Sequence, residues 1–349
     1  MKSFLPLLSL AISASATAIP ALEPRQTAAE VQSLPAKYFP DSQRVKIRYG
    51  PFQLPSSEQR SVIGESGTMS TIRTNLRKPC TDCGLTAAQA GLEYADGSPA
   101  DVGTGAWLHH VVMLMSGTGK RDVVCPSGVL SMLGERFFSS GNERSPTMFG
   151  DVETQTLKAM YPIAAADRIN MQVELMNMKP QEQTVYFTVE WEFLPKAATA
   201  GFKQTKALWM DVTNCGVSSV APPANKQVFT LKSDAFTIPA NGQMLGTAGH
   251  LHDGGVNVNV YLNDKVICDS QATYSTTTMG GMAMSDGHDG DAHIATMSGC
   301  TNIGPVKQGD KLRIEANYDL DKHAPMHNHG DSGGLAAVMG IAIMYIALD

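Results

Sequence analysis

Positive charge, long apolar runs and glycosylation sequons are scarce or absent in this sequence. Lys and Arg number 27 against 33 Asp and Glu, for a formal net charge of −6, so no basic field is present to hold nucleic acid or an anionic membrane surface. The apolar stretch at residues 336–348 is too short to cross a bilayer and is predicted to be a buried strand. No Asn-x-Ser/Thr motif occurs, so N-glycosylation is not expected. The sequence thus predicts no nucleic-acid partner and no membrane span.

Internal repeats and amphipathic helices are also missing. No period of 20–50 residues is visible, which excludes propellers and solenoids. Helical periodicity is weak throughout, with one or two turns expected only within Thr86–Glu93. Short alternating runs with β-branched residues, bounded by Gly, Pro, Asn and Asp, predict instead an all-β fold of two antiparallel β-sandwich (jelly-roll-like) domains side by side. The clearest strand candidates are Trp107–Met115, Ile169–Met176, Thr184–Phe193, Lys206–Val212, Gln227–Leu231, Gly255–Leu262, Lys311–Tyr318 and Ala336–Leu348.

The N-terminus has the features of an export signal. A basic start at Met1-Lys2 precedes an apolar run over residues 4–12, and Ala16-Thr17-Ala18 fits an A-x-A cleavage site. We therefore predict a signal peptide over residues 1–18 and a secreted, extracellular protein. The rest is predicted to comprise an extended N-terminal arm over 19–45, an N-terminal β-sandwich over 46–195, a linker over 196–204 and a C-terminal β-sandwich over 205–349.

Six cysteines in an exported chain are expected to form disulfides. Six cysteines allow 15 pairings, which the sequence does not resolve. The Cys80-x-x-Cys83 motif has no second CxxC, so a disulfide is favoured over a zinc or redox site. We predict one pair individually, Cys268 with Cys300. It would close the segment from Ser275 to Ser298, which is rich in Gly, Met, Ser, Asp and His and is predicted to be a loop.

The stretch from Gly246 to Gly255 contains a His-x-His motif. Side chains two residues apart on a β-strand emerge on the same face, so His250 and His252 are expected to turn toward one point while Leu251 packs on the other side. Two neutral imidazoles make half of a transition-metal site. Because the motif is short, the alternative is a pair of surface histidines before a Gly-rich turn.

A second pair, His109-His110, lies in the predicted strand Trp107–Met115. Adjacent residues on a regular strand face opposite ways, so these two histidines share a metal only if the strand twists or bulges there. The alternative is one buried, hydrogen-bonded histidine and one exposed histidine.

The C-terminal strand contributes Met339, which by default is a core residue. A thioether together with two imidazoles nevertheless suits a copper ion that cycles between Cu(I) and Cu(II). Gly340 beside it lets backbone or ligand approach closely. The segment Met279–Met297 and the cluster of His323, Met326, His327 and His329 would also suit copper capture. For the segment a disordered linker with incidental histidines is favoured, and for the cluster that alternative stays open.

Taken in order, these elements resemble the copper type II, ascorbate-dependent monooxygenases. That family includes the peptidylglycine α-hydroxylating and dopamine β-monooxygenases. The chain from Cys80 to the C-terminus also resembles the plant stress-up-regulated nodulin family, which we interpret as a divergent branch of the same fold. The motifs that carry this second resemblance are Cys80-x-x-Cys83, Gly91-Leu92-Glu93-Tyr94, Leu108-His109-His110, Ala248-Gly249-His250-x-His252-Asp253-Gly254-Gly255, and Val338-Met339-Gly340 with Met344-Tyr345-Ile346.

The resemblance implies two copper sites. In the second half, His250, His252 and Met339 would bind the copper at which O2 binds and the substrate C–H bond is broken. In the first half, His109 and His110 would bind a copper that stores an electron, with ascorbate as the reductant.

Two positions depart from the family pattern. Glu174 stands where the third histidine ligand of the first-half copper is expected. A carboxylate binds copper but favours Cu(II) and makes reduction harder, and a solvent-facing acid without metal is the alternative. Ala248 stands where the peptide hydroxylase has the arginine that holds the peptide carboxylate, so a peptidylglycine substrate is not expected.

Three functions follow from the sequence. The first is a secreted copper-dependent monooxygenase that hydroxylates a C–H bond of an unknown small-molecule or peptide substrate with O2 and a reductant. The second is a non-catalytic extracellular copper-binding protein that retains only the site of His250, His252 and Met339. The third is a cell-surface or structural sandwich with vestigial sites. The ligands of the first-half site distinguish the first two, because electron supply from a second copper needs three good ligands there.

Overall fold

The computed structural model describes residues 29–60, 66–275, 292–326 and 334–349, without the side chains of Val129 and Ser275. Over these residues the chain consists of β-strands joined by turns, three 3-10 helices and no α-helix. The all-β prediction is confirmed, and every strand predicted individually is present. The strands are β1 (Glu30–Leu34), β2 (Gln43–Leu54), β3 (Thr68–Leu76), β4 (Cys83–Tyr94), β5 (Ala106–Ser116), β6 (Glu135–Ser140), β7 (Thr147–Met148), β8 (Ala159–Ile163), β9 (Arg168–Asn177), β10 (Gln183–Pro195), β11 (Lys203–Asp211), β12 (Ser219–Val220), β13 (Val228–Lys232), β14 (Phe236–Thr237), β15 (Gly242–Leu251), β16 (Gly255–Leu262), β17 (Lys265–Ser275), β18 (His293–Met297), β19 (Gly299–Val306), β20 (Lys311–Asp319) and β21 (Val338–Leu348), and the 3-10 helices are Val102–Thr104, Val129–Leu133 and Lys196–Ala198.

The strands form three sheets. The largest has eleven strands and runs β1-β2-β10-β4-β8-β11-β21-β15-β19, with β7 and β12 paired beside it. A four-stranded sheet, β3-β9-β5-β6, belongs to the first half of the chain, and a six-stranded sheet, β13-β20-β16-β17-β18 with β14, belongs to the second. Two hydrophobic cores separate these layers, one built mainly from residues before 207 and one from residues after 208.

The two halves share the large sheet. Strand β11, the first of the second half, pairs in parallel with β8 of the first half, with Lys203 opposite Ala159. Tyr345 on β21 reaches into the first core, where its ring meets Phe149 edge-on. Its hydroxyl donates a hydrogen bond to the backbone oxygen of Phe137. The halves are therefore joined through both backbone pairing and core packing.

Three disulfides complete the scaffold, and no described cysteine is free. Cys268 is bonded to Cys300, as predicted. The Cys80–Cys83 motif is also a disulfide. Cys125 is bonded to Cys215 across a sequence separation of 90, which ties a first-half loop to a second-half loop.

Two predictions of local structure are wrong. Thr86–Glu93 is extended in β4, because Ala87–Glu93 pair with β10 and the segment is mostly buried. The segment from Ser275 to Ser298 also supplies a strand, β18, whose Ile294 and Met297 pack in the second core. Residues 276–291 of that segment lie outside the described residues.

Three of the predicted segments can be compared with the described residues. The predicted signal peptide lies outside the described residues. The predicted arm contains β1, which pairs with β2 as an edge strand. The predicted linker contains the helix Lys196–Ala198 and the start of β11, while the boundaries themselves stay predictions. Within the described part of the chain, no helix combines the length and apolarity needed to cross a membrane.

Candidate metal centre

The predicted histidines lie close together where the four-stranded sheet of the first half faces the second-half strands of the large sheet. On β5, His110 lies opposite Glu174 of β9. On β15, His250 lies opposite Ile341 of β21, and His252 follows one residue after the strand ends. Because β-strand side chains alternate, these residues project from the two sheets into the space between them.

A β-bulge allows both histidines of the first pair to face this space. The register of β5 against β9 shifts between Leu108 and His110, which leaves His109 as the extra residue. The sequence required such an irregularity if both rings were to share a site. The ring centroids of His109 and His110 lie 4.0 Å apart.

Nε2 of His110 lies close to the inward nitrogens of both second-half histidines. Nε2 of His110 lies 3.1 Å from Nε2 of His250 and 3.1 Å from Nε2 of His252. The ligand atoms of His109, His110 and His252 also all lie within 4.8 Å of one another. Metal–imidazole bonds are about 2.0–2.1 Å long, so nitrogens about 3 Å apart can share one ion.

The rear nitrogens of three of the rings are held by acceptors. Nδ1 of His252 donates to the backbone oxygen of Ala337 at 2.6 Å. Nδ1 of His250 lies 3.2 Å from a carboxylate oxygen of Glu143, and Nδ1 of His109 lies 2.7 Å from Glu174 Oε1. Acceptors at the rear nitrogen fix the tautomer and the ring orientation of metal-binding histidines. These contacts leave Nε2 of each ring as the available lone pair.

The electrostatics favour neutral rings at His110 and His252. Burial, followed by the neighbouring His109 and His250, lowers the pKa of His252 to about 3. Burial, followed by His109, holds the pKa of His110 well below its usual value. Burial opposes ionisation of Glu174, but its hydrogen bonds with His109 and His110 outweigh that effect and leave its pKa lowered.

These protonation states test whether a metal fits the site. Nδ1 of the neutral His252 ring donates to the backbone oxygen of Ala337, so its Nε2 presents a lone pair to His110. A neutral His110 has one N–H, which cannot serve both of its Nε2 contacts and the side of the ring near Glu174. Such closely spaced imidazole nitrogens are stabilised by a cation between them, and imidazole is a ligand that copper prefers. The residues therefore fit a copper ion.

In the structure, histidines that the sequence analysis assigned to two separate sites lie in contact. His110 was assigned to a first-half site, yet its Nε2 contacts both second-half histidines. The bulge and the shared sheet explain the difference, since they bring β5 against the end of β15. Glu174 faces the rear nitrogen of His109 and lies outside the group of potential ligand atoms formed by His109, His110 and His252.

Met339 lies in the same region. Its side chain lines the cavity that contains the histidines. Its backbone N–H donates to the hydroxyl of Tyr318, and that hydroxyl donates to the backbone oxygen of Met339 at 2.5 Å. The same hydroxyl accepts the backbone N–H of His252, so Tyr318 fixes His252 and Met339 together. The role of Met339 as a ligand stays a prediction. Gly340 allows close packing of sheets, since an added Cβ would lie 2.5 Å from Cβ of Ala316.

The cavity beside the histidines has a volume of about 590 Å³. Ligand pockets are typically about 300–1,000 Å³. Besides the histidines and Met339, apolar side chains line it from both halves, among them Val112, Leu130, Ile341 and Ile343. This arrangement places an apolar chamber directly beside the candidate metal centre.

Sequence reasoning missed Glu143 and the backbone oxygen of Ala337. Glu143 lies in the loop after β6, where no motif spacing relates it to His250. Burial works to raise its pKa, but His250 outweighs burial and lowers it. A backbone acceptor such as Ala337 carries no side-chain signal at all.

The other predicted copper-capture residues do not join the cluster where they are described. The ring of His323 stacks on Tyr274 with centroids 3.8 Å apart. Met326 packs with Trp107 in a small apolar cluster. His293, from the segment Met279–Met297, lies 2.6 Å from a carboxylate oxygen of Asp253. His327, His329 and most of that segment lie outside the described residues.

Comparison with known proteins agrees with this chemistry. Residues 187–347 match the family model described as Stress up-regulated Nod 19. The chain is 34% identical over 89% of its length to probable copper-dependent oxygenase M1 of a Phoma species, covering 74% of that protein. It is 35% identical over 74% of its length to probable copper-dependent oxygenase clz3 of Cochliobolus lunatus, covering 77% of that protein. A solved structure of peptide:N-glycanase F aligns over 87% of this chain and 96% of its own, at 9% identity and a TM-score of 0.39, too weak a likeness to support fold or function.

Proposed function

Because this chain belongs to the family of the fungal probable copper-dependent oxygenases and is similar to the Stress up-regulated Nod 19 family, we propose that it is itself a copper-dependent oxygenase. The proposal rests on the close approach of His110 Nε2 to the Nε2 atoms of His250 and His252, together with the group of potential ligand atoms formed by His109, His110 and His252. Copper bound there would supply the redox chemistry by which O2 and a reductant such as ascorbate hydroxylate a C–H bond.

The chain's own residues would hold and orient the metal. His110, His250 and His252 provide the nitrogen ligands, and Met339 is proposed as an additional soft ligand that favours Cu(I). Glu143 and the backbone oxygen of Ala337 hold the rings of His250 and His252 in the tautomer that leaves Nε2 free. Because the ligands come from both halves, we propose one shared centre in place of the two separate sites.

The cavity would position the substrate. Its apolar walls exclude water from the reacting C–H bond and hold the substrate against the histidine cluster. This chamber favours an oxygenase over a protein that only stores copper, since storage needs ligands but no substrate space. The three disulfides support the further proposal that the protein acts outside the cell, as the N-terminal export signal predicts.

Metal loading tests the function. Purified protein is expected to bind one copper per chain, with nitrogen hyperfine structure from several imidazoles in its electron paramagnetic resonance spectrum. Ascorbate should remove the Cu(II) signal, and O2 should restore it. Protein loaded with zinc, which has no redox chemistry, is the matched control and should consume no O2 with ascorbate. Protein that binds no copper, or copper that ascorbate cannot reduce, would contradict the proposal.

Removing the acceptor behind His250 should weaken the site without removing a ligand. Glu143→Ala is expected to lower copper affinity by about 10- to 100-fold, the usual effect of losing a residue that orients a metal-bound histidine. Glu143→Gln keeps an acceptor oxygen at the same reach and should bind copper more tightly than the alanine variant. Competition titration against a chelator measures both. Equal losses in the two variants would show that the charge, and not the hydrogen bond, is what His250 requires.

A further inference from the structure

Hydroxylation of a C–H bond by O2 requires two electrons and two protons, because one oxygen atom enters the product and the other leaves as water. A copper ion that changes between Cu(I) and Cu(II) supplies only one of these electrons. Among the described residues, one group of histidine, cysteine or acidic side chains is placed to hold a metal, that of His109, His110 and His252. The second electron must therefore reach a single shared centre from elsewhere, and a redox-active side chain beside the centre can hold it ready.

Trp107 on β5 lies directly beside the histidines. It precedes His109 by two residues, and the two rings meet edge-on with their centroids 5.7 Å apart. The His109 ring in turn lies 4.0 Å from that of His110 and stacks on that of His252 at 5.4 Å. Indole is among the most readily oxidised side-chain groups, so an electron can leave Trp107 for the centre through a single intervening ring.

The surroundings of Trp107 suit a ring that becomes positively charged. Trp107 belongs to neither of the two large cores and packs in a separate small cluster with Val102 and Met176, against which Met178 and Met326 also pack. Met176 lies opposite Trp107 on β9. Thioethers are polarizable and make favourable contacts with aromatic rings, so three of them stabilise positive charge on the indole better than hydrocarbon side chains would. Met178 and Met326 are partly exposed, which brings the edge of the cluster within reach of a reductant in solution.

The other two of the three tryptophans are less suited to this role. The guanidinium carbon of Arg136 lies 4.7 Å from the centre of the Trp209 ring, and a permanent positive charge against the ring opposes the loss of an electron. Trp191 is fully buried in the first core, where its indole N–H donates to the hydroxyl of Tyr49. Of the three, Trp107 is the one whose ring meets a histidine of the cluster.

We propose that Trp107 is the second electron donor of the metal centre. During hydroxylation its indole gives one electron through His109 and becomes a radical cation, which ascorbate later reduces. This role rests on the proposed function.

The electrons and atoms of one turnover balance. A C–H bond of the substrate and the O–O bond of O2 break, and an alcohol and one water molecule form. The two electrons come from Cu(I) and from Trp107, and the two protons come from the solvent. Two ascorbate monoanions then return one electron each, to the copper and to the indole, and release two protons to the solvent as they become ascorbyl radicals.

Hydrogen peroxide tests the electron transfer without a substrate. Copper-loaded protein is reduced with ascorbate, freed of excess ascorbate under argon, mixed with peroxide and rapidly frozen. Peroxide takes up two electrons and two protons to form two water molecules, so Cu(I) gives one electron and Trp107 gives the other. Electron paramagnetic resonance should show an organic radical beside Cu(II). Its spectrum should narrow in protein made with ring-deuterated tryptophan, and added ascorbate should remove it. A spectrum that deuteration leaves unchanged would overturn the proposal.

Variants identify the residue that carries the radical. Trp107→Phe keeps an aromatic ring in the cluster, should bind copper as the wild type does and should lose the radical. Trp107→Tyr restores an oxidisable ring and should give a tyrosyl radical with a different spectrum. Trp191→Phe is the matched control and should keep the indole radical, as should Trp209→Phe. An indole radical in either Trp107 variant, or its loss from Trp191→Phe or Trp209→Phe, would overturn the assignment.

Peptide mapping gives a second readout. After repeated cycles of ascorbate and peroxide, oxygen addition at Trp107 should be higher in copper-loaded than in zinc-loaded protein, because zinc has no redox chemistry. In Trp107→Phe the added oxygen should move to His109 and His110, which then lack a donor beside them. Equal oxidation of Trp107 with either metal would overturn the proposal.

The two proposals fail in different ways. If the protein binds copper that cycles with ascorbate and O2 but forms no indole radical, the donor role of Trp107 fails and the oxygenase function stands. If the protein takes up no copper, the oxygenase function fails and the donor role is overturned with it.

Discussion

His110→Ala is expected to remove nearly all copper from the protein, although His250 and His252 remain. Nε2 of His110 lies 3.1 Å from Nε2 of each of those residues, so its loss deletes the ligand at the centre of the cluster. Changes to residues that only orient ligands already lower metal affinity by about 10- to 100-fold, and loss of a ligand should exceed that range. Copper content after dialysis and a chelator competition titration measure the effect.

The same variant distinguishes one shared centre from two separate ones. If the halves bound copper independently, His110→Ala would leave a full copper at His250 and His252. His323→Ala is the matched control, because that ring stacks on Tyr274 and makes no contact with the cluster histidines, and it should keep the wild-type copper content. Retention of one tightly bound copper by His110→Ala would refute the shared centre.

The second large effect is expected from the disulfide that ties the halves together. Replacing Cys125 and Cys215 with serine should lower the free energy of unfolding by about 4–5 kcal/mol, because the bond closes a loop with a sequence separation of 90. It should also weaken copper binding, since the loops it joins line the cavity next to the cluster. Chemical denaturation with and without copper gives both quantities.

The short disulfide serves as the control. Cys80 and Cys83 are separated by only 3 residues, and the same entropic account assigns their bond about 2 kcal/mol. Serine replacements there should leave copper affinity unchanged, because neither residue lines the cavity. An equal loss of stability in the two double variants would contradict the loop-length argument and point to native packing as the source of the stabilisation.

Local sequence patterns predicted the structure correctly where residues nearby in the chain determine the direction of a side chain. The spacing of His250 and His252 predicts that they share a face, and both contact His110. Thr86–Glu93 shows the limit of such patterns. It contains Ala87, Ala88 and Ala90, which favour helix, yet it lies in the middle of a sheet because pairing with β10 and burial outweigh that preference.

Contacts between distant segments could not be predicted in this way. The assignment of two metal sites followed from the family resemblance. The contact between His110 and His250 joins residues 140 positions apart, and no local rule relates strands in different sheets. Glu143 is a single residue without a motif, and only the folded chain shows that it contacts His250. The sequence did contain one clue to the site's geometry, because two adjacent histidines share a metal only where the strand is irregular.

The pairing of β8 with β11, together with the packing of Tyr345 into the first core, has a mechanical consequence. Two domains on a flexible tether can rotate and open a cleft, but a backbone ladder and a common core resist such rotation. The spacing between β5 and β15 is then fixed, and it limits the size of the ion that fits between them. A substrate must therefore enter the chamber at its edge. Leu130 and Ser131 line the chamber and belong to a short 3-10 helix whose Met132 is 84% exposed, so small local movements there, rather than hinge bending, are expected to admit a substrate.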